Sequence, residues 1–234
     1  MVYVSTFLEE GMNTWVIIPA YNESQHIYQL VREIKSLNLP VMVVDDGSSD
    51  TTYKEAERAA ADILLRSEAN RGKGAALDMG IRYLLEHTNL EALIIMDADL
   101  QHLTEEIEVF LKKLEEGSDF IVGNRMQNPA GMPLLRLWTN KFMSLLISRI
   151  CRQKIVDSQC GFKAIKREVL EKIRLETRRY EVDSEIILQA CKQGYMIESV
   201  PISSVYHRKQ NSRINPIRDS WRFFLFLWRS RYGL

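Results

Sequence analysis

The stretch Leu93–His102, "LIIMDADLQH", joins four apolar residues to two aspartates that flank a single alanine. Leu93 to Met96 have the length and composition of a buried strand, and Asp97 and Asp99 arrive where that strand would end. The same form, an apolar run followed by a polar turn, occurs at "WVIIPAYNES" (Trp15–Ser24) and "VMVVDDGSSD" (Val41–Asp50). Further short apolar runs lie in "DILLR" and "DFIVGN", the latter closing the series. Helical patterns separate the runs, over about 23–37, 51–61, 74–86 and 104–114. Val- and Ile-rich strands alternating with helices give an α/β protein with a mostly parallel sheet, Rossmann-like and flanked by helices. Such sheets bind ligands beyond the carboxyl ends of their strands, which is where "PAYNES", "DDGSSD" and "DADLQH" fall.

The chain has 234 residues, 46% of them hydrophobic and 26% charged, enough for one domain with a packed core. Its formal net charge is zero, which argues against a protein that coats nucleic acid. Cys151, Cys160 and Cys191 are scattered, so no disulfide framework is expected and a reducing compartment is. His26, His87, His102 and His207 form no cluster with cysteine, so no structural zinc site is expected. The N-terminus lacks the form of a signal peptide, and no apolar run reaches the roughly 20 residues that a bilayer span needs.

The second half reads differently. A long helical pattern covers Met132–Ile150, a second covers about 184–192, and "MIESVPISSVYHR" is strand-like. The C-terminal stretch is basic and aromatic. The expected organisation is one continuous domain over 1–215 with an amphipathic tail over 216–234.

Two carboxylates at a buried strand's end are costly unless a cation neutralises them. Mg²⁺ or Mn²⁺, which take oxygen ligands and share them with phosphates, would do so at Asp97 and Asp99. An isolated D-x-D is also an ordinary strand-end turn. "DDGSSD" is a well-formed strand-to-helix turn, yet it holds more acid than one helix cap requires, so a carboxylate there could accept bonds from a ribose or base. "RGKGAAL" (Arg71–Leu77) is not a P-loop, but its glycines, its lysine and a helix N-terminus could approach an anion.

In this order, "VIIPAYNES", "VVDDGSSDTT", "NRGKGAAL", "MDADLQH" and "VGNR" resemble the family 2 glycosyltransferases of GT-A fold. Within that family the chain is most similar to the polyprenyl-phosphate glycosyltransferases of the dolichyl-phosphate mannosyltransferase type. The resemblance runs from about residue 14 to residue 213. It implies that Pro19, Tyr21, Glu23 and Asp46 hold the nucleotide base and ribose, with Lys73 facing the nucleotide. Asp97, Ala98, Asp99 and Gln101 would lie at the donor diphosphate and metal, Asp99 as the most direct ligand. Arg125 would stand near the donor phosphates and the acceptor. "DSQCGFKA" (Asp157–Ala164) resembles a segment bordering the sugar pocket, with Phe162 itself read as core. Glu181, Asp183 and Glu185 are candidates for sugar contact, although acids in the first turn of a helix also suit its dipole. Arg208, Ser212 and Arg213 match a basic acceptor element that usually contains Gly and Lys, absent here.

The implied activity is inverting transfer from a donor such as GDP-mannose or UDP-glucose to a polyprenyl or dolichyl phosphate. A phosphate monoester is already anionic near neutrality, its second pKa being about 6. No general base is then needed, so neither His102 nor His207 is expected to be one. A lipid acceptor requires a membrane surface or a membrane-anchoring partner, reached through Met132–Ile150 or the tail. The implied location is cytoplasmic, peripheral at the inner face of a membrane. Two rival readings are a soluble transferase acting on a small hydroxyl acceptor, which would need a carboxylate base such as Asp183 or Glu185, and a nucleotide-sugar-binding module without turnover.

Overall fold

The computed structural model describes residues 11–204, apart from 128 and 130. Within them the expected alternation is present. It runs β1 (Thr14–Ala20), α1 (Ile27–Ser36), β2 (Val41–Asp45), α2 (Thr52–Arg58), β3 (Ile63–Arg66), α3 (Lys73–His87) and β4 (Ala92–Ile95). β1 pairs in parallel with β2 and β4, and β2 with β3. Each helix returns the chain to the same end of the sheet, as parallel pairing demands. β2 is buried along its whole length because helices cover both faces.

α4 (Ile107–Glu115) leads to β5 (Phe120–Asn124), which does not close the series. After α5 (Leu134–Cys151), the stretch read without a strand supplies β6 (Lys163–Lys166). β6 lies antiparallel between β4 and β5. Then come the short α6 (Arg167–Leu170), α7 (Val182–Lys192) and β7 (Ile197–Pro201), the last parallel to β5. The described residues thus form one seven-stranded sheet of order β3-β2-β1-β4-β6-β5-β7. An antiparallel strand enters a sheet where its neighbours leave it. Lys163 pairs in register with Ile95 and Val122, so the segment Asp157–Phe162 reaches the rim made by the carboxyl ends of β1, β2, β4 and β5.

Phe162 is fully buried and stacks on Phe110 with ring centroids 4.1 Å apart, as expected of a core residue. The expectation for the cysteines is corrected: Cys151 and Cys191 form a disulfide, with Cα atoms 5.4 Å apart. α5 packs on α7 and brings together residues 40 positions apart, which linear spacing does not disclose. The argument from cysteine use for a reducing compartment therefore lapses. Cys160 alone is a buried free thiol among the described residues.

α5 buries Asn140, Met143, Ser144 and Ile147. Its other side exposes Leu134, Leu135, Trp138, Phe142 and Leu145, with Trp138 72% accessible. No helix among the described residues is long and apolar enough to cross a membrane. Arg208, Ser212, Arg213, His207 and the tail 216–234 lie outside the described residues.

Candidate active site

The loops that follow β1 and β2 are tied to each other. Ser48 Oγ accepts the Asn22 N–H at 2.9 Å, Thr52 Oγ1 accepts the Glu23 N–H at 2.8 Å, and Asn22 Oδ1 accepts the Ser49 N–H at 2.8 Å. The Glu23 carboxylate meets His26 Nδ1 at 2.9 Å. Pro19 and Tyr21 are half-buried beside these loops.

Asp46 is buried, and its two oxygens accept the N–H groups of Arg71 (2.9 Å) and Gly72 (2.7 Å). It thereby fastens the "RGKG" loop to the end of β2. The glycines of that loop serve close packing. Gly72 has φ 99°, and a Cβ there would lie 2.2 Å from the Arg178 carbonyl oxygen. At Gly74 a Cβ would lie 2.1 Å from the Thr177 oxygen. The Arg178 carbonyl accepts the Gly74 N–H at 2.9 Å and, more weakly, that of Ala75. The start of α3 is therefore capped by protein, and the expectation that it approaches an anion through these groups is corrected.

Lys73, the first residue of α3, sits at the centre of the rim. Its ammonium lies 2.6 Å from Asp97 Oδ1 and 2.8 Å from Asp183 Oδ2. Burial opposes the charge on Lys73, but Asp183 and Asp97 outweigh it and hold its pKa above the ordinary lysine range. Burial likewise opposes the charge on Asp97, and Lys73 outweighs it, so that carboxyl stays below the usual carboxylate range. Asp97 is 32% exposed and so faces open space as well as Lys73. Its other oxygen lies over Gly161, where an added Cβ would be 1.9 Å away. Ala98 is buried between the two acids.

Asp99 accepts the Gln101 N–H at 3.1 Å, with Leu100 at φ 56° between them. Burial, then the charge of Asp97, pushes its pKa up to about 6, and Glu23 adds to this. An excess of negative charge therefore collects at this end of β4. Among the described residues no three His, Cys, Asp or Glu side chains gather as a metal cluster. A hard cation can share its oxygen ligands between a carboxylate such as Asp99 and substrate phosphates.

The remaining expected residues divide. Asp183 reaches the rim through Lys73. Glu185 turns away: it is buried and accepts the N–H groups of Glu176 (2.9 Å) and Thr177 (3.0 Å), bracing the loop that packs on Gly72 and Gly74. Glu181 precedes the first turn of α7 and is half-buried. Arg125 is not an open cation. It is 3% exposed and paired with the fully buried Asp157 through Nε (2.7 Å) and Nη2 (2.9 Å). Its charge is thus matched within the fold by Asp157. Burial opposes the charge on Asp157, and Arg125 outweighs it, holding that carboxyl below its usual range. His102 is buried, its Nδ1 has no hydrogen bond among the described residues, and burial lowers its pKa to about 4. It is neutral near pH 7.

Sequence reasoning singled out neither the pairing of Asp157 nor Lys163. Lys163 is fully buried at the start of β6, 2.6 Å from Asp183 Oδ1, and it also donates to the Cys160 carbonyl. The available signal was a lysine inside the apolar run "GFKAI".

Comparison with known proteins places this rim in context. The profile of Glycosyl transferase family 2 matches residues 15–174. An uncharacterized protein of Methanocaldococcus jannaschii is 35% identical over 85% of this chain and 90% of its own. The UDP-N-acetylglucosamine–dolichyl-phosphate N-acetylglucosaminyltransferase of Methanococcus voltae is 28% identical over 94% of this chain and 96% of its own. The dolichol-phosphate mannosyltransferase of Pyrococcus furiosus is 29% identical over 87% of this chain, which spans 59% of that protein. Among solved structures, mannosyl-3-phosphoglycerate synthase from Rubrobacter xylanophilus superposes with a TM-score of 0.69 at 20% identity, over 94% of this chain and 72% of that one. That likeness concerns the fold alone, which is GT-A. With the profile running from the second residue of β1 past the end of β6, the chain belongs to glycosyl transferase family 2 and is a transferase that draws on a nucleotide sugar.

Proposed function

We propose that the chain transfers a sugar, with inversion, from a nucleotide-diphosphate donor to a polyprenyl or dolichyl phosphate at a membrane surface, with Mg²⁺ or Mn²⁺. The observation that carries the reading is the concentration of acid at the end of β4: Asp97 paired with Lys73, and Asp99 driven up to about 6 by burial and by Asp97. Asp99 and Gln101 would hold the cation jointly with the donor phosphates, since hard cations commonly share oxygen ligands between protein and substrate phosphates. When bound, the cation neutralises the charge that develops on the departing diphosphate.

The chain's own residues do the rest. Asp46, Gly72 and Gly74 fix the loop that presents Lys73. Lys73 keeps Asp97 ionised and in place. The proposed sugar contact of α7 is Asp183, which meets the rim through Lys73. A phosphate acceptor needs no base, so His102, whose pKa burial lowers to about 4, is assigned no proton transfer. The names of the M. voltae and P. furiosus relatives support a dolichyl-phosphate acceptor. The exposed side of α5, with Trp138 among leucines and Lys141 and Arg149 on the same helix, supports a peripheral position on anionic lipid. Arg208, Ser212 and Arg213 are the proposed acceptor cations and hydroxyl, and the proposed location is the cytoplasmic face.

The test is transfer from radiolabelled GDP-mannose, UDP-glucose and UDP-N-acetylglucosamine to dolichyl or undecaprenyl phosphate in vesicles, with Mn²⁺ or with EDTA. Label entering the organic phase only with metal is expected. Transfer solely to water-soluble hydroxyl acceptors, or undiminished transfer in EDTA, contradicts the reading.

A further inference from the structure

The charges at the rim form an alternating row: Asp97, Lys73, Asp183, Lys163. The links are 2.6 Å from Asp97 to Lys73, 2.8 Å from Lys73 to Asp183 and 2.6 Å from Asp183 to Lys163. Exposure falls along the row, from 32% at Asp97 and 11% at Lys73 to 7% at Asp183 and none at Lys163. Lys163 lies in the middle of the sheet, between Ile95 of β4 and Val122 of β5. As a stabilising device this is a poor one, because replacing a buried ion pair by packed apolar side chains is often neutral or favourable. What the buried ammonium does is fix its neighbour. It occupies Asp183 Oδ1 and leaves only Oδ2 for Lys73. Without it, both oxygens of Asp183 would compete with Asp97 for the single Lys73 ammonium, and the row would carry one more negative charge.

We infer that Lys163 is a positioning residue: by holding Asp183 from beneath, it keeps the Lys73 ammonium shared with Asp97 at the rim, and it sets the net charge that the donor diphosphate meets. The inference rests on the reading of the rim as a nucleotide-diphosphate site. It adds a residue that touches neither donor nor acceptor and acts through two others. Its signature is a split of sign. Loss of the Lys163 charge weakens the binding of an anion at the rim and strengthens the binding of a cation there. A loosened fold weakens both.

The experiment uses the full chain and measures two affinities separately: Mn²⁺ alone, from the free-ion spin-resonance signal, and GDP or UDP without added metal, by calorimetry. In Lys163→Gln, which keeps a hydrogen-bond donor but not the charge, nucleotide affinity is expected to fall about tenfold and Mn²⁺ affinity to rise at least about threefold. Lys163→Arg keeps the charge and should remain near the native protein in both. Asp183→Asn does not depend on how Lys163 variants fold, and it should swing the other way, with Mn²⁺ weaker and nucleotide tighter. Proportionate weakening of both ligands in Lys163→Gln overturns the inference, as does Mn²⁺ affinity that is unchanged or lower, or an Asp183→Asn variant that moves in the same direction as Lys163→Gln. If the native chain binds neither GDP nor UDP, the nucleotide reading of the rim fails, and the Mn²⁺ measurements alone still decide the role of Lys163.

Discussion

Two cation–carboxylate pairs stand at the same rim, and they differ in kind. Arg125 and Asp157 are joined by two short bonds, with 3% and 0% of their side chains accessible. Lys73 and Asp97 are joined by one bond, with 11% and 32% accessible. The first pair is closed. Its partners satisfy each other, and breaking it would strand a buried charge. The second is open, because Asp97 retains an exposed side and Lys73 divides itself between two acids. A carboxylate that a cation only partly satisfies can respond to a ligand, whereas one locked in a two-bond pair supports the backbone around it. Read in sequence, both arginine and lysine stood as active-site cations, and only burial and bond count separate them.

The largest expected effect lies at the open end. Asp99→Asn should lower transfer about 10³-fold, the scale at which a group stabilising developing charge acts, while the unfolding midpoint at neutral pH rises, because ionised Asp99, its pKa pushed up to about 6, opposes folding there. Steady-state transfer together with denaturant unfolding checks both halves of that statement. The closed pair should behave in the opposite way. Arg125→Met leaves Asp157 buried and unpaired, so stability should drop by about 3–5 kcal/mol in urea or guanidinium titrations. Unchanged stability with abolished transfer would move Arg125 into the chemistry and erase the distinction between the two pairs.

A smaller effect belongs to His102, which lies between the pairs and feels charges from both. Burial lowers its pKa from 6.5 to about 4, so the unfolded chain takes up a proton that the folded chain resists. The stability linked to it is complete above pH 6.5 and is lost progressively as pH falls toward 4. His102→Gln should flatten that part of the stability profile and change turnover at neutral pH by less than about tenfold, below the range for loss of a general base. A collapse of turnover with folding intact would make the imidazole a base after all. The smallest effect on the folded state is expected on α5. Trp138→Ser with Phe142→Ser should alter stability by no more than about 0.5 kcal/mol, since Trp138 and Phe142 are exposed, yet reduce flotation with anionic vesicles. Equal flotation of variant and native protein would remove that face from the proposed membrane contact.

The first four strands and their helices were legible because parallel βαβ units write themselves as short apolar runs punctuated by turns, each element adjacent in sequence to the next. Asp97, Asp99 and Asp46 could be placed at a rim for the same reason: each follows closely on the end of a strand. β6 was not legible as a partner. Its four residues, "KAIK", begin and end in lysine, and its antiparallel place between β4 and β5 is set by contacts far along the chain. Arg125 with Asp157, separated by 32 positions, and Lys163 with Asp183, separated by 20, follow from that insertion. So does the packing of Gly161 against Asp97. Residue types announce which groups can bear charge; they do not announce which charges are already matched. Glu185 illustrates the point, an acid two residues from Asp183 that serves a loop instead of the rim.

The most direct measurement is a crystal structure of the chain grown with Mn²⁺ and GDP or UDP, with data collected at the manganese absorption edge. An anomalous peak bonded to Asp99 and to the diphosphate, with Lys73 still on Asp97, is the expected result. A nucleotide bound elsewhere, with Asp97 and Asp99 contacting neither metal nor phosphate, would contradict the assignment of this rim as the active site.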